Sequence, residues 1–491
     1  MSLKNISIIV LYLSYNLSIA QTYFNNRYDN YNSCDLGLNI TNYNTHYINV
    51  GITCNGISFY ALNLTKVNLN GSVNLSKTYY RGANNFSPNL GRNIIMPNND
   101  FIIGGARFYK TDTSLVFLWR FNQNLDSIKY FEYGYLNKKN QVNSVLRSDR
   151  YIFMTGFVDS LYKNSDILLI KTDTAGNEIW KKKIGLPNYD ETAWCIKTSN
   201  DGKLLISGNR RLHNNQATNG AFVLKADTNG VIIWEKYFPS NYGLAATGMV
   251  ELSNGDIVAI AGKGFGSNIS RYELIKLDAT GNILFDKVYG PMADRAEAYS
   301  LIQNQEGNLV AAGQIYYSAN NSVNGLMYVF NQNGDSLFSR EYAVEPGSQN
   351  YFRDLVQAPD KGYVFSGFIS PIFANGGTGN QDIWLLKTDS TFCEAAFNCG
   401  YPTSIAEAEA LEAGKMSVYP NPANTVVNFI FTHEVQGRKI KLYDAVGNLI
   451  YTCDASSKNL TLTTDNLTSG IYFYKAVTGD KISQNKLVII K

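Results

Sequence analysis

A chain of 491 residues exceeds one ordinary domain, yet a closed array of repeats can reach several hundred residues as a unit. Hydrophobic residues make up 45% of it, enough for a core, while charged residues make up only 17% and the net charge is +3. That balance leaves no electrostatic footprint for nucleic acid, and no basic run supplies one locally. The 34 Tyr and 25 Phe favour strands, because aromatic rings pack well on pleated surfaces.

In chain order, the first element predicted is an export signal over residues 1–20. Lys4 lies in a short positive region, an apolar stretch follows, and Ser18-Ile19-Ala20 ends it with small residues at the positions a signal peptidase reads. The apolar run is broken by Ser14 and Asn16 and is too short to span a bilayer. With no other candidate segment, the expectation is a secreted protein without a transmembrane span.

The next 370 or so residues repeat. ILLIKTDTAGNEIWKKKIG, residues 167–185, reads as strand, tight turn and strand, and AFVLKADTNGVIIWEKYF and YELIKLDATGNILFDKVY are later copies. A small-residue–Gly step recurs at Gly51, Gly105, Gly156, Gly208, Gly262, Gly313 and Gly367, spaced 51 to 54 residues apart. The turn residue recurs independently as Asn68, Asn122, Asp173, Asp227, Asp278, Asn331 and Asp389. Within residues 193–238, the strands AWCIKTS, KLLISGN, AFVLKAD and VIIWEKYF alternate with turns. Four short antiparallel strands per repeat make a propeller blade, and the fold expected over residues 21–399 is an all-β, seven-bladed β-propeller. The seventh copy has a poor fourth strand after Asp389, whereas TYFNNRY (residues 22–28) precedes the first copy. This N-terminal strand is expected to complete the last blade and remove its open edge.

Residues 400–414 read as a linker, and residues 415–491 as a small β-sandwich with turns at Asn421-Pro422, Gly447-Asn448 and Ser469-Gly470. Of the six Cys, Cys34 with Cys54 and Cys393 with Cys399 are plausible disulfides in an exported chain. Cys195 and Cys453 are left outside those bridges and expected to be buried.

Two resemblances follow from these residues. Tyr419-Pro420-Asn421-Pro422, LYDAVGNLIY, Ser469-Gly470-Ile471-Tyr472 and the terminal Lys486–Lys491 stretch resemble the type A C-terminal sorting domain of the type IX secretion system. The resemblance implies an immunoglobulin-like sandwich that directs export across the outer membrane of Bacteroidota-type bacteria. It implies as partners the secretion machinery and a sortase that removes the domain as the cargo is released or attached to lipopolysaccharide. Tyr419, Pro420, Asn421, Pro422, Gly470, Lys486 and Lys491 carry the sorting motifs. The repeats resemble secreted bacterial β-propeller repeats and, more distantly, quinoprotein-type blades. Trp180 and Trp234 keep the aromatic of the fourth strand as Trp, while Phe285 and Phe338 replace it.

Neither resemblance fixes an activity, since propellers host binding modules and enzymes alike. The Asp-x-x-Gly turns lack the clustered carboxylates that calcium needs, so Asp173, Asp227 and Asp278 are expected to accept backbone hydrogen bonds instead. His46, His213 and His433 show no metal-ligand spacing, and no nucleophile elbow accompanies them. No catalytic residue, metal or cofactor is therefore assigned. The loops joining one blade to the next carry Tyr189, Asp190 and Glu191, then Asp294, Arg295 and Glu297, and then Tyr351 and Arg353. The second-to-third-strand loops lie on the same face and contribute Tyr316 and Tyr317, and residues 368–381 form the longest of them. Exposed Tyr beside amides and charges suits sugar rings. The expectation is a cell-surface binding or adhesion module for glycan or protein, with an extracellular glycosidase or lyase as the alternative. Deleting residues 21–30 should lower the melting temperature sharply, and an unchanged value would reject closure by the N-terminal strand.

Overall fold

The computed structural model describes residues 22–29, 34–54, 60–80, 85–88, 91, 93–110, 113–160, 163–213, 215, 218–240, 243–266, 269–291, 294–344, 347–370, 380–394, 416–419, 421, 423–431, 436–444, 448–457, 459–478 and 481–491. All regular structure among them is β-strand, apart from isolated turns. The chain divides into two compact units, the first comprising residues 1–335 and 340–402, the second residues 403–491 with 336–339.

In the first unit, β1 (Phe24–Tyr28) is followed by antiparallel groups in chain order. β2 (Asp35–Tyr43), β3 (His46–Cys54), β4 (Tyr60–Asn68) and β5 (Val73–Tyr79) form one sheet. Two short pieces, β6 (Asn85–Pro88) and β7 (Ile94–Ile95), share the edge of β8 (Phe101–Lys110), which leads to β9 (Thr113–Phe121) and β10 (Ser127–Tyr133). β11 (Lys139–Ser148), β12 (Tyr151–Ser160), β13 (Lys163–Asp173) and β14 (Glu178–Ile184) form the next sheet. β15 (Tyr189–Thr198), β16 (Leu204–Leu212), β17 (Gly220–Ala226) and β18 (Ile232–Phe238) repeat that order. So do β19 (Gly248–Glu251), β20 (Ile257–Gly266), β21 (Ile269–Leu277) and β22 (Ile283–Tyr289), and then β23 (Arg295–Gln303), β24 (Leu309–Tyr317), β25 (Ser322–Phe330) and β26 (Ser336–Tyr342). Finally β27 (Gln349–Gln357), β28 (Tyr363–Ser370) and β29 (Asp382–Thr388) pair in sequence, and β1 pairs antiparallel with β29, Phe24 opposite Lys387 and Tyr28 opposite Ile383.

The repeat signature has a packing cause. Each turn glycine has positive φ, as at Gly281 (φ 88), and receives the aromatic ring from the outer strand of the preceding group. A Cβ on Gly281 would lie 2.8 Å from the Trp234 ring, and one on Gly334 would lie 2.6 Å from Phe285. The repeated Lys before the turn reaches across the same junction: Lys171 Nζ donates to Thr228 O (3.0 Å) and Lys276 Nζ to Gln332 O (3.1 Å). The Asp carboxylates accept backbone amides of their own turn, with Asp278 Oδ1 taking Thr280 N (2.9 Å) and Asn282 N (2.8 Å). Asn122 Oδ1 does the same for Asn124 N and Asp126 N (both 2.9 Å), which explains why Asn substitutes freely for Asp.

The second recurring glycine answers a different constraint. Gly51, Gly156, Gly208, Gly313 and Gly367 each lie opposite a β-bulge in the first strand of their group, between residues 37/39, 142/144, 193/195, 298/300 and 352/354. A Cβ on Gly313 would run into the carbonyl oxygen of Glu297, so only glycine lets the bulged backbone approach.

The core lies in layers between successive groups. Val223 and Cys195 pack with Ala259 and Ile275, and Phe153 and Leu169 pack with Ile206 and Phe222. The last group packs in the same way on the first: Phe24, Val364 and Leu385 share a cluster with Ile40, Tyr47 and Val67. Ile40 N donates to Asp354 Oδ2 (3.1 Å), and Ser366 Oγ donates to Asn49 Oδ1 (2.6 Å). Phe24 also meets Gly71, the turn glycine of the first group, at 2.6 Å from a notional Cβ, and Tyr28 OH donates to Gly71 O (2.7 Å). Phe285 and Tyr289 of β22 have the same spacing and the same relation to Gly334. β1 thus does for the last group what an outer strand does elsewhere.

A disulfide joins Cys34 and Cys54, with Cα atoms 5.1 Å apart. Cys393 is also disulfide-bonded, while Cys399, its expected partner, lies outside the described residues. Cys195 is buried, whereas Cys453 is a half-buried thiol rather than the buried one expected, because β33 lies at the edge of its sheet.

That sheet belongs to the second unit. β30 (Met416–Tyr419), β31 (Val426–Phe431) and β34 (Asn459–Thr463) form one sheet. β32 (Lys439–Tyr443), β33 (Leu449–Asp454), β35 (Gly470–Thr478) and β36 (Lys481–Ile489) form the other, in the order β33-β32-β35-β36. Phe429 and Phe431 from the first share one core with Ile440, Leu442, Tyr474 and Leu487 from the second.

Replacing Gly281 by Ala forces a side chain into a left-handed turn and against the Trp234 ring. A loss of about 2 kcal/mol in denaturant-unfolding stability is expected. Gly202→Ala, which has open space around its Cβ, should cost only the backbone strain.

Candidate functional site

The candidate residues other than Asp294 lie in strands rather than loops. Tyr189, Asp190 and Glu191 open β15, Arg295 and Glu297 lie in β23 just after Asp294, Tyr316 and Tyr317 end β24, and Tyr351 and Arg353 lie in β27. Each first strand runs past its bulge to pair further along the second strand, so the expected loops are strand. That correction matters, because strand alternation now decides which side chains meet.

Arg295 pairs with Tyr316 across β23–β24, and Glu297 with Gln314. Period-two alternation puts all four on one face. With Asp294 and Tyr351 they line a cavity of about 400 Å³, which Ser318 and Val323 complete. Val323 reaches it through a single parallel bridge to Gln349, where β25 meets β27.

Within the cavity, Glu297 is buried and its carboxylate is held from three sides. Arg295 Nη2 forms an ion pair with Oε1 whose angles miss a hydrogen bond, since Oε1 accepts none. Tyr299 OH donates to Oε2 (2.5 Å), and Gln314 Nε2 donates to the same oxygen (3.0 Å). Burial, with the Glu297 carboxylate adding to it, raises the Tyr299 phenol above its ordinary range, so it stays a donor. Gln314 lines the same space, and its Oε1 finds no hydrogen-bond partner among the described residues.

The aromatic wall is fixed in place. The Tyr351 ring stacks on Phe368 with centroids 4.5 Å apart, and its hydroxyl donates to Gln349 Oε1 (2.9 Å). Arg353, the residue left over at the β27 bulge, spreads its guanidinium 4.2 Å from the Tyr299 ring and 5.7 Å from the Tyr351 ring. Tyr316 OH donates to Asn321 Oδ1 (3.0 Å). Tyr317 does not line the cavity; its hydroxyl donates to Glu341 Oε1 (2.6 Å).

Tyr189, Asp190 and Glu191 belong to a separate group of strands and to a network of buried ions. Glu191 is 0% exposed, accepts Leu186 N (3.1 Å) and pairs with Arg210 Nε (2.9 Å), whose Nη2 reaches Glu235 Oε1 (2.5 Å). Burial raises the Glu191 carboxyl, against the pull of Arg210. Asp190 pairs with Arg211 Nε (3.2 Å) and contacts His213 Nδ1 (3.1 Å), and the Arg210 guanidinium lies 5.9 Å from the Tyr189 ring. These ion pairs tie neighbouring strands of the group together. Of the other histidines, His46 is held below its usual range by burial, and His433 lies outside the described residues, as do residues 371–379 of the longest candidate loop.

The first strands also surround two further cavities, of about 310 and 500 Å³. Trp194, Tyr299 and Asp354 line the first; Thr41, Lys197, Met249 and Val356 line the second. Strands from the first and last groups thus face one space. Among the described residues, no group of three or more His, Cys, Asp or Glu side chains gathers as it would around a metal ion.

Sequence reasoning missed Gln314, Tyr299 and Glu273. Gln314 stands two residues before Tyr316, so alternation along β24 could have found it. Glu273 on β21 is 1% exposed and shares Lys263 Nζ (2.8 Å) with Asp286 (2.8 Å). Burial raises it to about 7, partly offset by Lys263.

In the second unit the sorting-motif residues converge. Asn421 Oδ1 accepts Val488 N (2.8 Å), Ala423 bridges to Ile489, and Lys491 N donates to Ser469 Oγ (2.8 Å). Gly470 pairs with Ile489, and Lys486 lies opposite Phe473 in the backbone ladder. Tyr419 pairs with Asn428, while Pro420 and Pro422 lie outside the described residues. Residues 417–491 match the family model described as the secretion system C-terminal sorting domain. This module is a type IX sorting domain. A sorting domain at the C-terminus implies secretion to the cell surface or the extracellular space. No helix among the described residues is long and apolar enough to cross a membrane.

No curated protein sequence matches the chain. Among solved structures, it is similar to PorZ, a surface component of the type IX secretion system of Porphyromonas gingivalis, at 12% identity and a TM-score of 0.45. That match covers 94% of this chain and 60% of PorZ, so the chain spans less than two thirds of that protein. It is also similar to the periplasmic gluconolactonase PpgL of Pseudomonas aeruginosa (12% identity, TM-score 0.44, 72% of this chain and 96% of that one). A third similarity is to the β-propeller domain of the Trilobed protease from Pyrococcus furiosus (12%, 0.40, 75% and 100%). The described part ahead of the sorting domain is all-β, built from successive antiparallel groups of strands.

Glu273 gives a pH signature. Its folded pKa lies above the unfolded value, so its contribution to stability is complete below about pH 4.5 and is lost as pH rises through about 7. The melting temperature of the native chain relative to Glu273→Gln, which mimics the protonated form, should fall between pH 5 and pH 8. A constant difference would show that Glu273 titrates normally.

Proposed function

We propose that this chain is an exported cell-surface binding or adhesion protein, with the cavity between β23, β24 and β27 as its ligand site. In this reading residues 1–20 are a cleaved signal peptide and residues 21–399 a closed seven-bladed propeller. Residues 400–414 are a linker, and residues 415–491 are an immunoglobulin-like sorting domain handled by the type IX machinery and its sortase. The clasp of Phe24 and Tyr28 on Gly71 supports closure, because it repeats the junction made by Phe285 and Tyr289. The ligand is a glycan or a protein, bound without turnover, by residues including Asp294, Arg295, Glu297, Tyr316 and Tyr351.

One observation carries the binding reading: the Glu297 carboxylate is held in place, Oε2 by hydrogen bonds from a phenol and an amide and Oε1 by the charge of the Arg295 guanidinium, with Oε1 still free to accept a hydrogen bond. A carboxylate so held is a fixed acceptor and an orienting group, poorly placed to pass a proton in each cycle. The adjoining Tyr351 ring, immobilised by Phe368, offers a flat face ready for a ligand.

The test is an array of glycans and proteins probed with the purified exported chain, run beside a broad polysaccharide-degradation assay. Ligand retention without degradation is expected, with at least tenfold weaker binding in Tyr351→Ala, about the loss of one aromatic contact. Degradation that disappears in Glu297→Gln would replace this reading with a carbohydrate-active enzyme.

A further inference from the structure

The open hydrogen-bonding capacity of the cavity identifies its ligand more closely, if it is the binding site proposed above. Gln314 is 9% exposed, and its amide orientation is fixed because Nε2 donates to Glu297 Oε2. Oε1 is therefore left as a buried acceptor with no donor among the described residues, on a side chain that lines the cavity. Buried acceptors are rarely left without a donor, so Oε1 is open to a donor from a ligand or a water. Glu297 Oε1, which accepts no hydrogen bond, is a second acceptor on the same wall, with the Arg295 guanidinium beside it.

The lining thus asks for a ligand that donates at adjacent points and has a flat face for Tyr351. Charge narrows the choice: Asp294 and Glu297 are balanced by Arg295 and by Arg353, whose guanidinium lies 4.2 Å from the Tyr299 ring, so the site offers uronates, sulfates and phosphates no net positive field. An extended peptide would need a free strand edge, whereas β24 is paired on both sides and β25 is paired with β24 and bridged to β27. About 400 Å³ suits a small saccharide. We infer that the cavity binds a neutral saccharide, whose adjacent hydroxyls donate to Gln314 Oε1 and the Glu297 carboxylate while one ring face rests on Tyr351.

Calorimetric titration of the full chain tests this, with neutral glucan, mannan, galactan and xylan oligosaccharides, galacturonan fragments and an extended-peptide pool as probes. A neutral oligosaccharide should bind and galacturonan should not. Gln314→Met keeps the side-chain length, removes the acceptor and should weaken binding at least about tenfold. Monodeoxy analogues of the best neutral probe supply a readout that needs no mutation. Removing one hydroxyl should weaken binding to the native chain but not further weaken binding to Gln314→Met. Preference for galacturonan or peptide, unchanged affinity in Gln314→Met, or equal affinity for every deoxy analogue would overturn the saccharide assignment while leaving a binding module in place. Failure of every glycan and protein probe to bind would overturn both.

Discussion

The contact on which the first unit depends is that between an outer-strand aromatic ring and the turn glycine of the following group. Each four-stranded group has an apolar face too large for water and too small to close on itself, so it is stable only against a neighbour. The ring fills the space a Cβ would take, as Trp234 does at Gly281, and Lys276 ties its own strand to the next turn through Gln332 O. One residue therefore meets two demands: the turn needs positive φ, and the junction needs an absent side chain. β1 brings the same aromatic pair to Gly71, so the first group has its neighbour too.

The bulges set what varies. Opposite five of the seven recurring glycines of the second strand, the first strand carries one residue more than its partner. These extra residues are Leu38, Asn143, Trp194, Tyr299 and Arg353. The backbone geometry is held constant by glycine while the identity of the extra residue is free, which makes it a natural place for function to diverge. Tyr299 and Arg353, from successive groups, stack on one another and brace Glu297 and Tyr351. Trp194 instead bonds to Asn209 Oδ1 (2.8 Å) and lines a cavity shared by several first strands.

Much of this was legible in the sequence, because the two glycine landmarks, the Asp or Asn turns and the aromatics are demands of the backbone and leave a period. Trp180 and Phe285 could be placed on outer strands from spacing alone. The candidate site was only partly legible. Tyr189–Glu191 read as a polar loop because two adjacent carboxylates break alternation, yet Glu191 is buried by Arg210, 19 residues away in the chain. Arg295, Glu297 and Tyr351 were singled out by their place between one repeat and the next. Gln314 was missed because a lone glutamine carries no signal until its cross-strand partner is known to be Glu297. Sorting motifs far apart in sequence, such as Asn421 and Val488, were legible because the hydrogen bonds joining them need particular residues at fixed positions.

Buried charge separates the scaffold from the site. Lys387 with Asp360 (2.9 Å) and Lys263 with Glu273 and Asp286 offset part of their desolvation by internal pairing, as Glu191 does with Arg210 and Glu235 while leaving its Oε2 without a hydrogen-bond partner among the described residues. They fix register between strands, and removing one member leaves an uncompensated charge. The Glu297 set is built from the same kinds of residue, but it ends on Gln314 Oε1 and opens on a cavity. Open buried acceptors occur in the scaffold too, at Glu191 Oε2 for one, but that of Gln314 belongs to a side chain lining a concave space beside a fixed ring. That difference, rather than the presence of charge, marks the junction of β23, β24 and β27 as the place to look for a ligand.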